Sequence, residues 1–148
     1  EGVIDFIVSD HSPCDPELKF LKDCNFEKAW GGISGLQFGL SVIWTTAKER
    51  GFSVADVSKL MSRNTAEFIG IGNRKGKIQI GFDADLIVFD PEKKFIVEEK
   101  YIFNKHKVTP YAGEKLYGVV ETTFLSGIKF YENGKIVSEP VGKIILNN

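Results

Sequence analysis

The segment Val3-Ile4-Asp5-Phe6-Ile7-Val8 is a nearly continuous apolar run, broken only by Asp5. A strand with one wet face alternates apolar and polar residues, so a run like this suits a strand buried on both faces. That is the situation in a parallel sheet covered by helices. The run ends abruptly in Ser9-Asp10-His11-Ser12-Pro13-Cys14, a cluster of polar and reactive side chains. In parallel α/β folds the carboxyl ends of the strands are where ligands bind. The opening residues therefore predict an α/β layer with a candidate site at its edge.

Residues Asp15 to Trp30 have no regular period and predict a long loop with one helical turn at most. Loops of this length are usually functional or disordered. Leu18, Phe20, Leu21, Phe26 and Trp30 argue for one that is packed. In Gly31-Gly32-Ile33-Ser34-Gly35 the backbone is free to turn tightly or to approach a ligand closely. Ile33, Leu36, Leu40, Ile43, Trp44 and Ala47 then recur at helical spacing up to Gly51. Ser53 is the expected N-cap of a second helix, with Asp56 in its first turn. Asn64-Thr65-Ala66-Glu67 reads as the N-cap of a third helix, stopping at Gly70.

Beyond residue 71 the period changes to that of strands. Lys77 to Ile80 alternates, Asp85 to Phe89 is a strand stopped by Asp90-Pro91, and Lys94 to Val97 and Val119 to Leu125 are further strands. Ile128 to Tyr131 and Lys135 to Val137 flank Glu132-Asn133-Gly134, an Asn-Gly hairpin signal. The chain thus divides near residue 71 into an α/β part and a mostly antiparallel β part.

The charge balance, 19 basic against 20 acidic residues for a net −1, argues against nucleic-acid binding through phosphate neutralisation. No apolar run approaches the ~20 residues that span a bilayer. Cys14 and Cys24 are too few for a disulfide framework and lack zinc-site spacing. His11 and His106 stand apart from other ligand types and read as hydrogen-bonded structural residues. Asp10, at the end of the apolar run, has two readings: a metal ligand or proton carrier, or a turn residue. Gly31-Gly32 likewise either presents its backbone to a small polar ligand or simply turns the chain. A catalytic metal takes about three protein ligands, and one good carboxylate falls short of that. Either Asp10 is no ligand, or its partners lie outside these 148 residues. The abrupt start without Met favours the second.

Asp5 to Cys14 resembles the eighth strand of the cyclic amidohydrolases, and within them the allantoinases, whose Ser-Asp-His-Ser-Pro-Cys precedes a Lys-Ala-Trp-Gly-Gly-Ile-Ser stretch. Lys28 to Ser34 is similar to that stretch. Asn64-Thr65-Ala66, Gly76 to Val88, Thr109-Pro110-Tyr111, Gly118 and Gly127 to Gly134 are similar to the usual tail of these enzymes. The resemblance implies the C-terminal end of a (β/α)8 TIM-like barrel, its last strand and closing helices, plus appended β-sandwich strands. Residues 1–70 would be barrel and 71–148 sandwich. It implies a metal-dependent hydrolase that opens the hydantoin ring of allantoin to allantoate. Two zinc ions bridged by a carboxylated lysine would serve it, with a homo-oligomer (tetramer or dimer) expected.

On this resemblance Asp10 is metal ligand and catalytic proton carrier, and Ser12, Cys14, Gly31, Gly32 and Ile33 contact substrate. The other metal ligands are not in this sequence, so the chain is expected to be inactive alone. The rivals are dihydropyrimidinases or hydantoinases, which place Asn-Gly near Gly31-Gly32, and dihydroorotases, which carry His where Cys14 stands. A non-catalytic dihydropyrimidinase-like assembly protein is a further rival, which retention of Asp10 counts against. A small-molecule substrate is expected, with neither nucleic acid nor membrane as partner. Cytoplasm, peroxisome and mitochondrion all stay open as compartments, secretion being the one expected not to apply.

Overall fold

A computed structural model describes residues 2–23 and 25–146. Cys24 and the terminal residues lie outside it, and with Cys24 its reading as no zinc ligand. Helix α1 spans Gly39–Glu49 and α2 spans Val54–Ser58. The chain then runs through a π-helical turn, Lys59–Arg63, into α3, Asn64–Phe68. Four strands follow: β1 (Leu86–Ile96), β2 (Lys115–Leu125), β3 (Ile128–Glu132) and β4 (Lys135–Ile136). They form one antiparallel sheet in the order β1-β2-β3-β4.

The hairpins arise where the sequence allows positive φ at two successive residues, the backbone that matches strand twist. Ser126-Gly127 (φ 50° and 80°) joins β2 to β3, and Asn133-Gly134 (46° and 86°) joins β3 to β4. Asp90-Pro91 does not stop the first strand as expected. The two segments on either side of it belong to one strand, with a register shift between Asp90 and Lys94. Pro cannot donate to a ladder and is tolerated at such a bulge. The Asp90 carboxylate takes up the free amides there, accepting from Glu92 N at 3.0 Å and Lys93 N at 3.1 Å.

Helix α1 lies on this sheet. Phe38, Val97, Ile102 and Leu116 are its buried core, with Val42, Phe95 and Tyr111 packed around them. Beside it, Trp44 meets the Phe89 ring edge-on at 6.3 Å. Gly118 makes that contact possible. At φ +85° it sits where an added Cβ would lie 2.4 Å from Phe89 Cζ and 2.8 Å from Trp44 Cδ1. Its carbonyl accepts the buried Ser41 hydroxyl at 2.6 Å, and Thr45 Oγ1 accepts the Tyr117 amide at 2.8 Å. Helix and strand are thereby bonded where they touch.

The second helix starts as expected. Ser53 Oγ accepts Asp56 N at 3.2 Å while Asp56 Oδ2 accepts Ser53 N at 2.9 Å, a reciprocal capping box. The expected third cap is corrected. Asn64 lies in continuous right-handed helix, and its side chain donates instead to the Asp5 carbonyl. The first helix is also shorter than its apolar spacing predicts. Ile33 and Leu36 precede it because their backbone groups are bonded to Ser12 and His11.

Two expected strands are not ladders among the described residues. Lys77 to Ile80 turns, with Ile78 and Ile80 pointing into solvent. Val3 to Val8 is not assigned to a strand, and Val3 and Ile4 are 82% and 67% exposed. A strand needs a pairing partner, and no described strand pairs with this segment. The accessible surface is accordingly 10675 Å², where a compact 16.5 kDa protein exposes about 7,600 Å².

Residues 74–85 are tied down by charge. Asp83 Oδ2 accepts Arg74 at 2.7 Å and Lys75 at 3.1 Å, Lys75 also pairs with Asp85, and Asp85 Oδ1 accepts the Ser126 amide at 2.8 Å. Hydrogen bonds from Arg74, and then Lys75, hold the Asp83 carboxyl below its ordinary value of 3.8.

Gly118→Ala is expected to destabilise the intact protein by about 2–4 kcal/mol, combining the left-handed backbone with an overpacked contact; chemical denaturation reads it. A carboxyl depressed by folding stabilises above its unfolded value and loses that contribution as pH falls through the lower folded value. The fall in melting temperature between pH 5 and about pH 3 should therefore be shallower in Asp83→Asn than in the parent, while the variant is the less stable at pH 7.

Candidate functional site

The extended segment ends at Asp10, whose backbone turns to φ +43°. A non-glycine residue in this region needs its neighbours to hold it, and Asp tolerates it better than most. The residues on its C-terminal side do the holding. His11 and Ile33 form a parallel bridge, Ser12 N donates to Ile33 O at 2.9 Å, and Leu36 N donates to His11 Nδ1 at 3.2 Å. His11 is thus a structural clip. Its Nδ1 is occupied as an acceptor.

The crossing is close enough to require glycine. A Cβ on Gly32 would stand 2.4 Å from Ser12 Oγ and 2.6 Å from Ser12 O; one on Gly35 would be 3.2 Å from Ser9 O. Gly31 has open space around it and is exposed. The two glycines therefore differ: Gly32 lets two backbones touch, whereas Gly31 borders solvent. Neither serves as a helix-entry turn, since α1 begins at Gly39.

The loop before Gly31 is not packed through its apolar residues as expected: Leu18, Leu21, Phe26 and Trp30 are exposed, and hydrogen bonds hold its described part instead. It holds a short 3-10 turn, Pro16–Lys19, capped by Asp15 accepting from Glu17 N at 3.0 Å. That turn aims Lys19 back at the glycines. Lys19 Nζ donates to Trp30 O at 2.8 Å and to Gly32 O, and Trp30 N donates to Leu18 O at 2.9 Å. On the other side Thr109 Oγ1, buried, donates to Ser34 O at 3.0 Å. Residues 30–36 are thus held from three directions, by Lys19, by His11 and Ser12, and by Thr109.

Of the six residues singled out from sequence, Ser12, Gly32 and Ile33 come together at this crossing. Asp10 and Gly31 border it on the solvent side, and Cys14 is half-buried two residues beyond Ser12. The Asp10 carboxylate is exposed, and no described residue engages it by hydrogen bond or ion pair. A hard oxygen donor with free lone pairs suits a divalent ion or a proton. No group of three His, Cys, Asp or Glu that could hold a metal ion is found among the described residues. Sequence reasoning missed Lys19 and Thr109 as scaffolding. Only Asp15-Pro16, a turn start eleven residues before Phe26, hinted that the loop folds back.

Residues 1–137 match the amidohydrolase family model. The chain belongs to the amidohydrolase family. This amidohydrolase chain is 48% identical to probable allantoinase 2 of Dictyostelium discoideum, over 90% of its own length and 27% of the relative's. It is 41% identical to allantoinase of Arabidopsis thaliana, over 99% of its length and 29% of that relative. The L-hydantoinase (dihydropyrimidinase) from Arthrobacter aurescens superposes with a TM-score of 0.87 at 29% identity, covering 93% of this chain and 31% of the other. The amidohydrolase chain therefore spans about a third or less of the length of these relatives. Its α/β piece with an antiparallel sheet has the fold of the corresponding stretch in a TIM-barrel amidohydrolase, as the sequence led us to expect. No helix among the described residues is long and apolar enough to cross a membrane.

Gly32→Ala forces Ser12 and Ile33 apart, with an expected loss of about 1–3 kcal/mol. Gly31→Ala, in open space, should leave stability within about 0.5 kcal/mol. Denaturant midpoints of the two variants in the intact protein test the distinction.

Proposed function

We propose that this chain forms the substrate-facing C-terminal part of an allantoinase, which opens the hydantoin ring of allantoin with water to give allantoate. The observation that carries the reading is the exposed, unengaged Asp10 carboxylate, held at the end of its segment by the His11–Ile33 bridge. Identities of 41–48% to allantoinases support this substrate over the hydantoinase alternative, to which the chain is 29% identical.

In this proposal residues 1–70 complete a (β/α)8 barrel and 71–148 belong to the β-sandwich beside it. The whole enzyme would be metal-dependent, taking zinc with Asp10 as this chain's ligand and with a carboxylated lysine and the remaining ligands supplied from outside this chain. When bound, the ions supply Lewis acidity toward the water and the ring carbonyl. Asp10 would be the residue of this chain that holds an ion, and its carboxylate would accept a proton from water and return it to the ring nitrogen as the carbon–nitrogen bond breaks. Breaking the carbon–nitrogen bond requires that proton, because an amide anion is a poor leaving group. Ser12, Cys14 and the Gly31-Gly32-Ile33 backbone border the ring. Ser12 N and Ile33 O are bonded to each other, so Ser12 Oγ and the backbone groups at Gly31 are left for substrate. The enzyme assembles as a homo-oligomer.

The hydantoinase reading has its own support in the TM-score of 0.87. Both substrates are cyclic amides, and a panel separates them. The intact enzyme should hydrolyse allantoin at a kcat/KM well above that for 5-substituted hydantoins or dihydrouracil; the reverse order overturns the allantoinase assignment. Asp10→Asn should lower kcat by about 10²–10⁴ with the melting temperature held. Undiminished ring opening would remove Asp10 from the mechanism.

A further inference from the structure

A Gly-Gly pair has the widest backbone freedom of any two residues, so a defined position at Gly31-Gly32 has to be fixed by other groups. Lys19 is one of them. Asp15 caps the Pro16–Lys19 turn, and Phe20 leaves it in the left-handed region at φ 47°. The last residue of that turn is returned to the glycines. Lys19 Nζ donates to Trp30 O at 2.8 Å and to Gly32 O, while Leu18 O accepts Trp30 N at 2.9 Å. Two adjacent residues of the turn thus hold three backbone groups of the glycine stretch.

Lysine is seldom drawn out of water unless its ammonium is bonded, and Lys19 is half-buried. Hydrogen bonds from a cation are stronger than neutral ones and hold their acceptors accordingly. The backbone makes neither turn nor bend from Trp30 to Gly35. The carbonyls of Trp30 and Gly32 converge on one ammonium, so the Gly31 carbonyl between them faces away from it. On the far side of the pair, Ile33 O accepts Ser12 N at 2.9 Å, and a Cβ at Gly32 would stand 2.4 Å from Ser12 Oγ. Gly31 is therefore the peptide that Lys19 orients without engaging.

We propose that Lys19 is a positioning residue for substrate: by holding the Trp30 and Gly32 carbonyls, its ammonium aims the Gly31 carbonyl at a ring N–H of the cyclic amide. The proposal rests on Gly31 bordering the substrate ring, as described under the proposed function. A cyclic ureide carries N–H donors on its rim, and a backbone carbonyl is the matching acceptor. With both flanking carbonyls engaged by Lys19, a ring donor meets one acceptor in this stretch instead of three. The ring is thereby held in one register. Losing the ammonium frees two competing carbonyls and loosens the third. Binding should weaken, while the Asp10 carboxylate, fixed through His11, stays where it is.

The test combines exchange and kinetics in the intact enzyme. In Lys19→Met, which keeps the apolar stem and removes the donors, the Trp30 amide should exchange at least about tenfold faster, with amides of α1 unchanged. The KM for allantoin should rise about tenfold, the scale of one lost hydrogen bond, with kcat altered by less than about threefold. Lys19→Arg, which keeps a cation with several N–H donors, should recover part of both. Lys22→Met removes the same charge three residues on and should leave KM as in the parent. Should Lys19→Met fail to fold, Lys19→Gln, too short to span both carbonyls, carries the same expectations. Unchanged Trp30 exchange overturns the grip. A fall in kcat at constant KM, the mark of a merely loosened fold, overturns the positioning role; so does an equal rise of KM in Lys22→Met, which makes the effect one of net charge. A parent enzyme that does not open allantoin overturns the functional reading instead, and the Trp30 exchange rate then still decides whether Lys19 holds the glycine stretch.

Discussion

The missing side chain at Gly118 is the constraint on which the rest of the arrangement depends. Because no Cβ stands there, the Trp44 and Phe89 rings meet and Ser41 reaches the strand carbonyl. That contact sets α1 on the sheet. Helix α1 in turn begins just after residues 30–36, and Thr109, just ahead of β2, bonds Ser34 from the sheet side. From Ser34 the links run through Ile33 to His11 and Ser12, and so to Asp10. A carboxylate at the opposite end of the sequence is located by packing on a strand more than a hundred residues later.

Much of this was legible in the sequence, because it depends on local chemistry. Asn133-Gly134 announces a turn with positive φ at both positions, and Ser53 with Asp56 announces a capping box; each is decided within four residues. What failed depended on distant partners. Asn64-Thr65-Ala66-Glu67 has the composition of an N-cap, yet its amide is claimed by Asp5, 59 residues away. Ile33 and Leu36 have the spacing of a helix, yet their backbone is spent on the His11 crossing. Asp90-Pro91 reads as a stop, and the bulge that accommodates it exists only because β2 continues alongside. In each case a long-range hydrogen bond outweighs a local preference worth about 1 kcal/mol.

The apolar run at Val3 to Val8 illustrates the same rule in the opposite direction. Its composition is that of a strand covered on both faces, while Val3, Ile4 and Val8 are exposed among the described residues. Surface of this kind, extended over an area well above that of a compact protein of the same mass, marks faces suited to burial against other structure. The relatives are about three or more times as long, which agrees with that reading of the residues.

Asp10 and His11 stand at the end of the same run, and the sequence already reads them differently. His11 reads as a hydrogen-bonded structural residue, and Asp10 as either a metal ligand or proton carrier or a turn residue. The fold separates them by what their lone pairs already do. His11 has given Nδ1 to the Leu36 amide, and its backbone to the bridge with Ile33; it holds the crossing together. Asp10, exposed and at positive φ, keeps its carboxylate free of described partners. The positive φ at Asp10 and the bonded imidazole beside it therefore go together: the hydrogen bond and bridge at His11 fix the chain next to Asp10, whose own carboxylate has no described partner.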